Sequence, residues 1–154
     1  MTRVIILLIL KRIRKCFVDN GLDFKYIVSM PFSQDDLNKF KGLYIETARQ
    51  YLENMLIHIA SLMTEQTEES LYGMRIAAHS LTGQSKVAGY EQIGNLSSMI
   101  EQIFTDRTEA SPAFSIEKLQ QIKVGIEKML KSVEEIEKGG EEVDLSEEIK
   151  NLKL

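Results

Sequence analysis

Apolar residues recur at intervals of three and four in four separate stretches of this chain. Leu37, Phe40, Tyr44, Ala48, Tyr51, Met55, Ile59 and Leu62 form the first stripe. Leu71, Met74, Ala78, Leu81, Ser85 and Ala88 form a second, of small and apolar side chains. Ile93, Leu96, Ile100 and Ile103 make the third, and Ile116, Leu119, Ile122, Ile126, Met129, Val133 and Ile136 the fourth. This is the period of an α-helix with one apolar face, not the alternation of a strand. A one-faced helix is stable only when that face is covered, so the pattern restricts the chain to helices packed on helices. Its 154 residues suit a single domain with a proper core, and 44% apolar residues with two prolines and no tryptophan suit a helical bundle.

Capping residues punctuate the stripes. Ser33, followed by Asp35 and Asp36, predicts a helix over 34–63, with negative charge at its positive end. Thr67, with Glu68 and Glu69, opens a helix ending near Ala88, where Gly89 stops it. The next spans 90–106, and 105–115, with Pro112 and small polar residues, reads as a loop. Ser115 opens the fourth helix and Gly139-Gly140 closes it; Asp144-Leu-Ser-Glu147 resembles a capping box before a short helix over 145–153. Met55, Met63, Met74, Met99 and Met129 read as core filler.

One row of polar residues on the second helix stands out. Arg75, His79, Thr82 and Lys86 each follow a seam position by one residue, about 100° of rotation, which puts them at the edge of the buried face. Gly83, one turn after His79, leaves a gap in the side-chain cover; glycine inside a helix costs roughly 1 kcal/mol against alanine, which suggests a packing or docking reason. In an antiparallel hairpin turning at Gly89, His79 lies ten residues before the turn and Glu101 twelve after it. At ~1.5 Å per residue the two differ in height by about half a turn. A carboxylate there accepts the Nδ1 proton and leaves the Nε2 lone pair outward as a nucleophile. His58, beside the first stripe, reads as a structural histidine at the edge of packing.

At these residues the chain resembles a family. His79-Ser-Leu-x-Gly83-x-Ser85, with Gly89 and then Glu101, is similar to the histidine phosphotransfer (HPt) domain, most of all that of chemotaxis-type histidine kinases. The resemblance covers roughly 33–154. It implies an all-α, antiparallel up-down four-helix bundle with a short fifth C-terminal helix. It also implies that His79 accepts a phosphoryl group from a histidine kinase catalytic domain and passes it to an aspartate of a response-regulator receiver domain, with Glu101 orienting the ring. The family usually has lysine where Thr82 stands. A hydroxyl there donates to phosphate without supplying charge; Lys86 and Arg75, on the same row, are the candidate cations, with Gly83 beside them. Chemotaxis-type members often carry a second histidine at the position of Ser98.

Composition limits the alternatives. Net charge is −4 but uneven: residues 1–30 carry six basic side chains against Asp19 and Asp23, and the remainder 13 basic and 21 acidic. An acidic bundle argues against nucleic acid. The lone Cys16 fits a reducing, cytoplasmic compartment, and two histidines without a Cys/His cluster leave no zinc site. With no glycine-rich nucleotide loop and no acidic metal cage, the chain reads as a phosphocarrier that needs no cofactor of its own and is phosphorylated by a separate kinase. Residues 1–32 read as an N-terminal extension. Its apolar run Val4–Leu10 is far shorter than the ~20 residues of a membrane span, and Lys11-Arg-Ile-Arg-Lys15 follows it where a signal peptide would have a cleavage site. It packs on the bundle, touches a membrane surface or extends freely. The alternative function is a helical adaptor on the same fold that binds a kinase or receiver without being phosphorylated.

Overall fold

Five α-helices account for most of residues 33–106 and 112–153, the part of the chain described by this computed structural model: α1 (Gln34–Thr64), α2 (Glu68–Ala88), α3 (Glu91–Thr105), α4 (Ile116–Glu137) and α5 (Ser146–Lys153). Among the described residues there is no strand, and no helix is long and apolar enough to cross a membrane. The expected extension over 1–32, with its apolar run and Cys16, lies outside the described residues.

Local chemistry sets the helix ends. The Ser33 hydroxyl accepts from Asp36 N–H at 3.1 Å while the Asp36 carboxylate accepts from Ser33 N–H at 3.1 Å, a reciprocal pair that satisfies two otherwise orphaned donors. The Ser33 hydroxyl also donates to that carboxylate at 2.7 Å, and this bond, with the Ser33 N–H bond, holds the Asp36 carboxyl below its usual value. Thr67 caps α2 by accepting from Ser70 N–H at 3.3 Å, and Ser115 caps α4 by accepting from Lys118 N–H at 3.2 Å. Gly89 ends α2 at φ 86°, in the left-handed region that costs other residues strain. At α5 the local chemistry differs from a capping box. Asp144 accepts from the N–H of Ser146 at 3.0 Å and from its hydroxyl at 2.6 Å, and Glu147 takes no part.

The pairings between helices follow from named contacts. Tyr44 meets Ser85, Thr47 meets Gln84 and Ser61 meets Ser70, so α1 and α2 run antiparallel. His79 meets Glu101 and Lys86 lies on Gly94, so α2 and α3 do the same. α4 packs on α1, and α5 folds back on α4 through Lys128–Glu148 and Lys118 Nζ to the Leu152 carbonyl at 2.8 Å. The stripes face inward. Met55, Ile59, Met74, Leu81, Ile93, Leu96, Ile100, Ile122 and Ile126 are fully buried, as is Leu52, which lies outside the first stripe beside the half-buried Tyr51; each contributes about 1.5–3 kcal/mol over exposure. Phe40 and Ile116 depart from their stripes and are exposed. The α1–α2 register explains Phe40: α2 ends about level with residue 43, so the first turns of α1 overhang it.

His58 packs its ring onto the bare Cα of Gly73, between α1 and α2. A β-carbon at Gly73 would fall well inside van der Waals contact with that ring, whereas one at Gly42 would meet nothing within 4 Å. Gly42→Ala is therefore expected to raise stability by about 1 kcal/mol through helix propensity. Gly73→Ala is expected to gain less than Gly42→Ala, because the imidazole must leave its site. Urea unfolding of the two variants checks the difference.

Candidate functional site

Two helices and one turn build the site. The seams of α2 and α3 bury Met74, Ala78, Leu81 and Ser85 against Ile93, Leu96 and Ile100. Gly89 turns the chain between them. In the resulting register His79 stands opposite Glu101, and its Nδ1 lies 2.7 Å from Glu101 Oε1. The imidazole side chain is 71% exposed and the carboxylate only 26%. With the proton on Nδ1, the ring donates to Glu101, its orientation is held and Nε2 presents a lone pair. Such a nitrogen is a nucleophile open to a large visiting group.

The base of the hairpin is held by a polar cluster absent from the reading of the sequence. Tyr44 shares a 3.0 Å hydrogen bond with Ser85, and its ring stacks on Tyr90 with centroids 4.6 Å apart. Burial pushes both phenols up; the Ser85 contact opposes the rise at Tyr44, and the nearby Glu142 adds to it. Tyr90, at the start of α3, offers no side-chain cap, so the helix takes one from a distant segment: Glu142 Oε1 accepts the Ile93 N–H at 2.6 Å. A carboxylate at the positive end of a helix is favourable. Burial nevertheless pushes the Glu142 carboxyl up, against the lowering effect of backbone N–H bonds from Glu91, Gln92 and Ile93.

The other candidate residues lie around the pair at different distances. Gly83 is exposed, and a β-carbon there would meet nothing within 4 Å, so packing inside the described residues does not require glycine. It lines a shallow apolar groove between α1 and α2 with Phe40, Leu43 and Val87, floored by Tyr44 and the 2.8 Å hydrogen bond from Thr47 Oγ1 to Gln84 Oε1. Thr82 is buried, and its hydroxyl donates to the Ala78 carbonyl at 2.8 Å instead of facing outward. Lys86 lies two turns from His79, with its stem across Gly94, where a β-carbon would come within 3.1 Å of Lys86 Cγ. Arg75 lies one turn before His79, its guanidinium carbon 5.1 Å from the centroid of the Tyr72 ring. Among the described residues no group of three or more His, Cys, Asp or Glu side chains is placed to hold a metal.

Helical period and motif single out neither Tyr72 nor Glu142 nor the groove. Tyr72 carried a signal, its three-residue spacing to Arg75. Glu142 carried none, because its target lies 49 residues away. Comparison of the chain with protein families, with curated proteins and with solved structures finds no match.

A test of the distant cap follows from linkage. The folded Glu142 carboxyl titrates above its ordinary value of 4.5, so in the window between 4.5 and the raised value the folded state binds more protons than the unfolded one. Its contribution to stability falls as pH rises through that window. Glu142→Gln is expected to remove this decline, flattening stability against pH relative to the wild type in urea unfolding over about pH 4–7. Parallel curves would show that the carboxyl does not feel its burial.

Proposed function

We propose that this chain is a histidine phosphotransfer protein of a two-component phosphorelay. Its helices are read as an antiparallel up-down four-helix bundle closed by the short α5. The observation that carries the reading is the exposed His79 ring with Glu101 Oε1 2.7 Å from its Nδ1. In this reading a histidine kinase catalytic domain brings ATP and Mg²⁺. His79 Nε2 attacks the γ-phosphorus in line, the N–P bond forms as the bond to the bridging oxygen breaks, and ADP leaves with that electron pair. The Nδ1 proton stays on the Glu101 hydrogen bond, which stabilises the positive charge that develops on the ring. The phosphoimidazole then presents its phosphorus to a receiver-domain aspartate, whose carboxylate oxygen forms the new bond as the N–P bond breaks. The chain itself supplies the nucleophile and its orientation, and the partners supply the catalysis. The groove lined by Phe40, Leu43, Val87 and Gly83, the last one turn along α2 from the histidine, offers a visiting domain apolar contact.

Incubation with a histidine kinase and labelled ATP is expected to give acid-labile, alkali-stable label that is lost in His79→Gln. Glu101→Ala is expected to keep the site but slow labelling about 10- to 100-fold, by analogy with the loss when the carboxylate partner of a metal-bound imidazole is removed. A large side chain at Gly83, as in Gly83→Arg, is expected to fold normally, since nothing lies within 4 Å of that position, and to block transfer to and from protein partners. The adaptor reading draws on Thr82, whose hydroxyl is turned to its own helix and brings no charge to the site. Receiver binding with no label from any kinase would favour it.

A further inference from the structure

A phosphoryl group on His79 Nε2 would place about two negative charges on a ring whose other nitrogen already contacts a carboxylate. A nearby cation is needed to balance them. We propose that Arg75, carried on the ring of Tyr72, is that cation, with Tyr72 as its positioning residue. The proposal rests on the phosphotransfer reading of His79 and assigns the residue that makes the site tolerate phosphate.

The local choices narrow to Arg75. Thr82 is neutral, buried and bonded to the Ala78 carbonyl. Residues 97–105 of α3, which include Glu101, contain no lysine or arginine. Lys86 lies two turns beyond His79, its stem pressed on Gly94. Side chains on an α-helix lean toward its N-terminus, so the His79 ring covers the turn that holds Arg75 and points away from Lys86. Arg75 and His79 are four residues apart, close enough for their side chains to meet on one face.

The state of Arg75 fits the role. Among the described residues no carboxylate pairs with it; its contact is the Tyr72 ring, 5.1 Å from the guanidinium carbon. A neutral ring holds a cation without cancelling its charge. It also restricts a long side chain, so less rotamer freedom is lost when the guanidinium turns to phosphate. The planar fork then offers two N–H groups to two phosphoryl oxygens, geometry a lysine lacks. Tyr72, 58% exposed, has no core to fill and gains a purpose as this platform.

Phosphoramidate, a small phosphodonor acting without a kinase, tests the assignment on the full chain. The rate of phosphohistidine formation and the titration of its phosphoryl group are read by ³¹P NMR. Arg75→Gln is expected to slow formation roughly tenfold or more and to raise the phosphoryl pKa, because the dianion loses a charged donor. Arg75→Lys is expected to recover part of the rate, Tyr72→Phe to match the wild type and Tyr72→Ala to fall between. A merely structural Arg75 would change unfolding free energy and leave the phosphoryl titration where it was. Wild-type rate and titration in Arg75→Gln would overturn the assignment while leaving His79 as the phosphoacceptor. A wild-type chain that takes no phosphoryl group from phosphoramidate or from any kinase would overturn both.

Discussion

The turn between α2 and α3 sets where the His79–Glu101 pair stands on the surface. Gly89 adopts φ 86°, and the Tyr90 N–H returns to the Ser85 carbonyl at 2.9 Å. A left-handed residue closes a helix abruptly, so α3 starts two residues later and must run back along α2. Once the turn is made, the two seams allow one register, and that register places His79 beside Glu101 and Lys86 beside Gly94. A one-residue slip in either helix would rotate its partner by about 100° and separate the imidazole from the carboxylate.

The same logic shows why so much was legible in the sequence. Helix periods depend on residues three and four apart, and caps on residues two or three apart, so a linear reading finds both. Ser33, Thr67, Gly89 and Ser115 therefore mark the observed boundaries to within a residue or two. The adjacency of His79 and Glu101 is also local in this sense, because a short turn joins their helices. The proposed phosphotransfer is a matter of chemistry with a partner, and its support is the resemblance together with that geometry.

What stayed hidden depends on contacts between distant segments. The periodicity of α1 runs without a break through Phe40, but α2 is too short to cover that end. Only the register given by Tyr44–Ser85 and Thr47–Gln84 reveals the overhang and the groove beside Gly83. Gly73 and Gly83 look alike in sequence as glycines within one helix. The first carries the His58 ring, and the second faces open space. Thr82 invites a role because it occupies a marked position in a family pattern, yet its hydroxyl is satisfied by the carbonyl one turn earlier.

Glu142 has a further consequence. It lies beyond α4 and caps the start of α3. During synthesis on the ribosome, both helices that carry the His79–Glu101 pair emerge well before the acid that completes one of them. The entrance of α3 therefore keeps its backbone donors open to water until Glu142, 37 residues past Thr105, has followed. The register of the pair is set by the local turn, so truncation just past α4 would leave every seam residue of α2 and α3 present but the α3 entrance without its cap.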